Sequence, residues 1–158
     1  MTIRARSSLS DRTAAGDRNL QDTNLNLPPS KKTRMPPPTI LVVDGCRWVA
    51  GALDSLLLPT LGCRVVYARN PRAALTVART VQPNLVIAEV KRRVFKGIEF
   101  ILEMRRDPDL GRIPAILWSD VYQPRDIEVL AEGCQPFTAW KKFDNPDGLV
   151  SLVENLVR

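Results

Sequence analysis

The chain has 158 residues, 44% of them apolar, with 23 Lys/Arg, 17 Asp/Glu and no histidine. That length suits one domain plus a tail, and the lack of histidine excludes hydrolases built on a Ser-His or Cys-His pair. The net charge of +6 is uneven, because residues 1–38 hold seven Lys/Arg against three acids while the remainder is nearly balanced.

Residues 1–38 read as a disordered, basic, proline-rich tail. They are rich in Ser, Asn, Asp and Arg, contain no aromatic residue and end in Pro36-Pro37-Pro38. Such a composition cannot bury enough apolar surface to offset chain entropy. The arginines near Met1 lack the apolar stretch of a secretory signal, and Asp11, Asp17 and Asp22 argue against a transit peptide. No apolar run in the whole chain approaches the ~20 residues that span a bilayer.

From Thr39 onward, short apolar runs alternate with helical patterns. The spacing predicts strands at Ile40–Val43, Val65–Ala68, Leu85–Ala88, Ala115–Trp118 and, after Pro136, Phe137–Trp140. Helices are predicted over Trp48–Leu58, Pro71–Val81 behind an Asn70 N-cap, Ile98–Arg106, Pro124–Glu132 up to Gly133, and Asp147–Val157. Five strands alternating with five helices require a doubly wound parallel sheet with helices on both faces. The active crevice of such a sheet lies at the carboxyl ends of the strands. Asp44, Glu89, Ser119 and the pair Lys141-Lys142 all fall at strand ends, so the topology predicts their convergence.

These segments resemble the receiver domain of bacterial response regulators, a flavodoxin-like fold. The resemblance runs from Thr39 to the C-terminus. Its anchors are Thr39-Ile40-Leu41-Val42-Val43-Asp44, then Asn84 to Glu89 with Gly97-Ile98-Glu99 eight residues on, and Arg105-Arg106-Asp107-Pro108 before Ile113-Pro114-Ala115-Ile116. It implies that Glu89 stands where the family has its phosphoacceptor aspartate, and Asp44 where it has the first metal-binding acid. Gly45 and Cys46 replace further acids, Ser119 matches the hydroxyl-bearing switch residue, and Lys141 best matches the pocket lysine. Lys142, in the place of the family's proline, remains an alternative occupant because the stretch from Gly133 is one residue longer than usual.

A glutamate reaches one methylene further than an aspartate, and a misplacement of ~1 Å already costs about two orders of magnitude in rate. With so few carboxylates, octahedral Mg²⁺ binding is expected to be weak or absent, and no metal ligand set is assigned. The resemblance therefore implies a degenerate, stand-alone receiver that is not an enzyme. It would act as a phosphorylation-independent protein–protein interaction module, docking through its last strand and last two helices. Lys142, Phe143 and Thr138 are the candidate partner-binding residues.

Lys91, Arg92, Arg93 and Lys96 form a candidate basic patch, open to reading as a solvated loop, an anion site or a docking surface. A nucleic-acid-associated regulator using that loop and the basic tail is the rival from another class, and a receiver still switched by non-standard chemistry is a further one. Three cysteines without CxxC spacing fit a reducing, cytoplasmic setting rather than a disulfide framework or a zinc site. Trp118 is expected in the core, with Trp48 and Trp140 as packing residues. The chain ends with the last predicted helix, so no output domain is expected after it.

Overall fold

The computed structural model describes residues 35–91, 94 and 96–158. Five parallel strands form one sheet: β1 (Thr39–Val43), β2 (Arg64–Ala68), β3 (Leu85–Glu89), β4 (Ala115–Ser119) and β5 (Phe137–Lys141). They are linked by α1 (Arg47–Leu61), α2 (Pro71–Val81), α3 (Lys96–Arg106) and α4 (Pro124–Leu130), and α5 (Pro146–Val157) closes the chain. The spatial order is β2-β1-β3-β4-β5, which leaves β2 and β5 as edges. The strand order reverses direction between β1 and β3, and a crevice opens at their carboxyl ends.

Period-two alternation sorts each strand between two cores. Ile40, Val42, Leu85, Ile87, Ile116 and Trp118 face α1 and α5, packing with Val49, Leu53, Leu57, Leu149 and Val153. Leu41, Val43, Val86, Ala88 and Leu117 face α2, α3 and α4, packing with Ala74, Ala78, Phe100, Ile101, Met104 and Ile127. β1, β3 and β4 are buried along their whole length, as expected of strands covered on both faces.

The helix ends follow local chemistry. Asn70 and Asn145 cap α2 and α5 by accepting hydrogen bonds from the Ala73 and Gly148 amides, each at 3.0 Å. α1 runs past its expected end at Leu58, carrying Pro59 within it, and stops at Gly62 with φ 67°. There the Gly62 amide bonds to the Leu58 carbonyl at 2.9 Å, the left-handed arrangement that glycine tolerates. α4 is shorter than its sequence pattern, ending at Leu130, with the chain turning before Gly133 at φ 90°.

α3 begins two residues before its apolar pattern does. A β-carbon on Gly97 would lie 2.2 Å from the Glu89 carbonyl oxygen. Only glycine lets the start of α3 approach the end of β3 so closely, and this fixes the wall of the strand-end crevice. Among the described residues, no helix is long and apolar enough to cross a membrane.

Candidate functional site

Two carboxylates meet at the strand ends. Asp44 follows β1 and Glu89 ends β3, and parallel pairing of Val43 with Ala88 brings the two strand ends level. Both side chains are almost fully buried. Between them lies the ammonium of Lys142, whose Nζ is 2.7 Å from Asp44 Oδ2 and 2.7 Å from Glu89 Oε1. The same Nζ stands 5.5 Å from the Trp118 ring centroid and 5.4 Å from that of Phe143. Two anions and two aromatic faces thus surround one cation.

The remaining lone pairs are answered locally. Asp44 Oδ1 accepts from the Cys46 amide at 2.8 Å, and the Tyr67 hydroxyl donates to the Asp44 carbonyl at 2.9 Å. Glu89 Oε2 is 3.3 Å from Lys91 Nζ and accepts from the Gly45 amide at 3.4 Å. A β-carbon on Gly45 would fall 2.5 Å from Lys91 Nζ, so a side chain there would displace that lysine.

The carboxyls of the cluster respond differently to this environment. Burial raises Asp44 above the ordinary carboxylate range, more than Lys142 and the Cys46 amide can offset. Burial also pushes Glu89 upward, but hydrogen bonding and charge from Lys142, helped by the Gly45 amide and Lys91, hold it below its usual range. Burial alone would lower Lys142; the two carboxylates together hold it above the ordinary lysine value. The same ammonium thus serves two carboxyls that burial and pairing push in opposite directions, Asp44 up and Glu89 down.

The structure corrects the assignment of the two lysines. Lys142 reaches the pocket, whereas Lys141 Nζ turns outward and donates to the Asp120 carbonyl at 2.7 Å. Alternation explains the exchange. Phe137 and Ala139 pack toward α2–α4, and Trp140 packs toward α1 and α5. Continuing that alternation sends Lys141 away from Trp118 and brings Lys142 beside it. Lys142, named as a candidate partner-binding residue, has its side chain buried in the pocket.

Ser119 ends β4 at the site but spends its hydroxyl on the backbone. Its Oγ donates to the Val90 carbonyl at 2.6 Å and accepts from the Val121 and Tyr122 amides at 3.2 and 3.1 Å. It shapes the turn after β4 and makes no hydrogen bond to the acidic cluster. Thr138 lies within β5, half-buried and paired with Ile116. Phe143 is 57% exposed and adopts φ 63°, an uncommon conformation for a bulky residue. Its ring stacks on Trp48 at 5.5 Å and 6°. Trp48 is 63% exposed, so it belongs to a surface stack rather than the core. Of the candidate basic patch, Lys91 pairs with Glu89 and Lys96 opens α3 on the surface, while Arg92 and Arg93 lie outside the described residues.

Sequence reasoning left two contributors out of the site. Lys91 is a second cation on Glu89, signalled only by its position two residues on. Trp118 also flanks the ammonium, and its pairing with Glu89 across β3 and β4 places it there. Among the described residues, no three His, Cys, Asp or Glu side chains group as a metal ligand set.

This is the CheY-like receiver fold of response regulators. The chain is similar to the chemotaxis protein CheY4 of Vibrio cholerae, with a TM-score of 0.67 at 20% identity over 76% of this chain and 98% of that one. It is similar as well to the signal receiver domain of a signal transduction histidine kinase from Syntrophus aciditrophicus, with a TM-score of 0.65 at 28% identity over 76% and 89% of the two chains. In sequence it is 27% identical over 119 residues to a probable transcriptional regulator, ycf29, of Porphyra purpurea, covering 75% of this chain and 56% of that protein. The chain spans about half the length of the curated relatives it matches. No family model matches.

Proposed function

We propose that this chain is a degenerate receiver, working in two-component-type signalling as a protein–protein interaction module that does not depend on phosphorylation. The observation that carries this reading is the Lys142 ammonium held 2.7 Å from both Asp44 and Glu89. A phosphoryl acceptor needs a free carboxylate oxygen and a metal to neutralise the charge that develops. Here the carboxylate oxygens are engaged by Lys142, Lys91 and backbone amides, and Gly45 offers no side chain at the neighbouring position.

The donor set fits Mg²⁺ poorly. That ion takes oxygen ligands in near-octahedral geometry, and seating it here would expel a buried ammonium from between the two anions. We therefore expect no resident metal and no phosphoryl transfer, and we read the chain as a non-enzymatic module.

The partner face that fits this reading lies along β5, α4 and α5. β5 is an edge strand, half-buried throughout, and α4 beside it exposes Val129 and Leu130. The test is intact-mass analysis of the full chain after incubation with acetyl phosphate and Mg²⁺. No phosphorylated species is expected; stoichiometric, Mg²⁺-dependent modification of Glu89 would overturn the proposal.

A second reading has one observation in its favour, the probable transcriptional regulators among the relatives. In it the basic tail and the Lys91–Lys96 loop touch nucleic acid. Binding to unrelated DNA should then fall steeply with salt, and no binding at low salt would remove this alternative. Lys91 is less available for phosphate contacts than its sequence suggests, because it already faces Glu89.

A further inference from the structure

The strand-end crevice has a second part, on the β1–β2 side of Glu89, whereas Ser119 lies across β3 at the end of β4. A cleft of about 190 Å³ opens there, walled by Asp44, Glu89, Arg69, Lys91, Lys96 and Pro71. Neither Lys142 nor Ser119 lines it. Both acids of the wall are already held by Lys142. Counting that lysine, four cations stand against two carboxylates. Among the described residues, Arg69 and Lys96 form no salt bridge. Lys91 leans on Glu89 at 3.3 Å, yet half of its side chain stays exposed.

Two helices add to this surplus. α2 and α3, each eleven residues long, both begin at the wall, through Asn70 and Pro71 and through Lys96 and Gly97. The positive ends of their dipoles reinforce the three lining cations. A metal ion would meet those cations on approach, and an apolar molecule would gain little from Val43, Pro71 and Val94. A phosphate ester carries about −1.5 to −2 charges near neutral pH and offers three acceptor oxygens. It matches the surplus in sign and in size. The cleft equals roughly six waters in volume, at ~30 Å³ each, which is room for a phosphate group. An adjoining cleft of about 370 Å³ shares Gly45 and Arg69 with it and adds Arg47 and Tyr67. That space is open to the organic part of the ester.

We infer that this cleft binds a small phosphate ester without reacting with it. Arg69, Lys91 and Lys96 take the phosphate group, and the organic part extends toward Tyr67 and Arg47. No bond to Glu89 forms, so the site stands whether or not that residue accepts a phosphoryl group. The bound anion competes with Glu89 for Lys91, which couples the cleft to the buried cluster. A nucleic-acid backbone presents the same group, but on a convex surface; the concave wall favours a small ester.

The probes are phenyl phosphate and its uncharged counterpart phenol, titrated into the full chain at constant ionic strength without divalent metal. Binding is followed by the backbone amide resonances of Gly45 and Gly97, which border the cleft. Phenyl phosphate is expected to shift both saturably, and phenol to shift neither. Arg69→Gln and Lys96→Gln alter exposed side chains and should leave the fold intact. Each should weaken binding about tenfold or more. Arg112→Gln removes the same charge from an exposed position before β4, at the opposite end of the sheet, and should bind as wild type does. No saturable shift up to about 10 mM, or equal weakening by Arg112→Gln, would overturn the proposal. Duplex DNA that binds more tightly than phenyl phosphate, and loses affinity in Arg69→Gln and Lys96→Gln, would assign the cleft to a nucleic-acid backbone and overturn it as well.

Discussion

The strand-end pocket and the α4–β5 edge are neighbours in the fold and opposites in character. In the pocket every charge is answered from within the chain: Lys142 by Asp44 and Glu89, and Glu89 further by Lys91 and the Gly45 amide. At the edge, Val129 stands 77% exposed, and β5 has no strand beyond it. Here the two acids are paired within the chain, beside a cleft of about 190 Å³ lined by Asp44, Gly45 and Glu89, while the edge exposes apolar surface. The proposed interaction module would use that edge without a phosphate-driven input.

The comparison breaks most severely at Lys142. Lys142→Met should destabilise the fold by about 3–5 kcal/mol near neutral pH, because two buried carboxylates lose their counter-charge. Chemical denaturation measures this. The loss should shrink as pH falls toward 5, since the carboxyls of the variant can then be protonated and their burial cost relieved.

The alkaline limb tests the same group with the opposite sign. Lys142 is held above its unfolded value, so its contribution is complete below about pH 10.4 and is lost as pH rises through its folded pKa. The stability difference between the wild-type chain and Lys142→Met should accordingly narrow above that pH. A difference that stayed constant from neutral pH to 11 would dissociate Lys142 from the cluster's stability.

Glu89→Gln is the next smaller change. It keeps the shape and one acceptor but removes one of the two anions on Lys142, for an expected loss of about 1–3 kcal/mol. A variant as stable as wild type, with unchanged partner affinity, would show that the charge at this position has no structural role.

The smallest effects on stability belong to the exposed positions. Lys141→Met and Val129→Asp should each stay within about 0.5 kcal/mol of wild type. They should separate in a pull-down: Val129→Asp is expected to lose a partner that Lys141→Met retains. Retention by both would move the docking surface away from α4.

The sheet was legible because its strands are short aliphatic runs with charged or turn residues at both ends. Burial on two faces demands such runs whatever the partners are. The helix start at Pro71 was equally plain, since its asparagine cap and first-turn proline act locally; α5 starts at Pro146, one residue ahead of its expected start. Helix ends were harder to place. Pro59 did not stop α1, because the helix remains packed through Leu57 and closes only at Gly62. Gly97 marked a close approach, yet the Glu89 carbonyl it accommodates belongs to another element.

Within the site, sequence order alone brings Asp44 and Glu89 to one end of the sheet, because parallel strands with crossover helices align their carboxyl ends. The resemblance in sequence implied as well that Glu89 stands at the phosphoacceptor position and Gly45 at that of a metal ligand. What only the tertiary structure decided was which of two adjacent lysines answers those acids, and where the Ser119 hydroxyl is spent. Each depends on side-chain direction at a strand end, where a shift of one residue exchanges the two faces of the sheet. No local pattern in the sequence records that direction; the packing of β5 against β4 sets it.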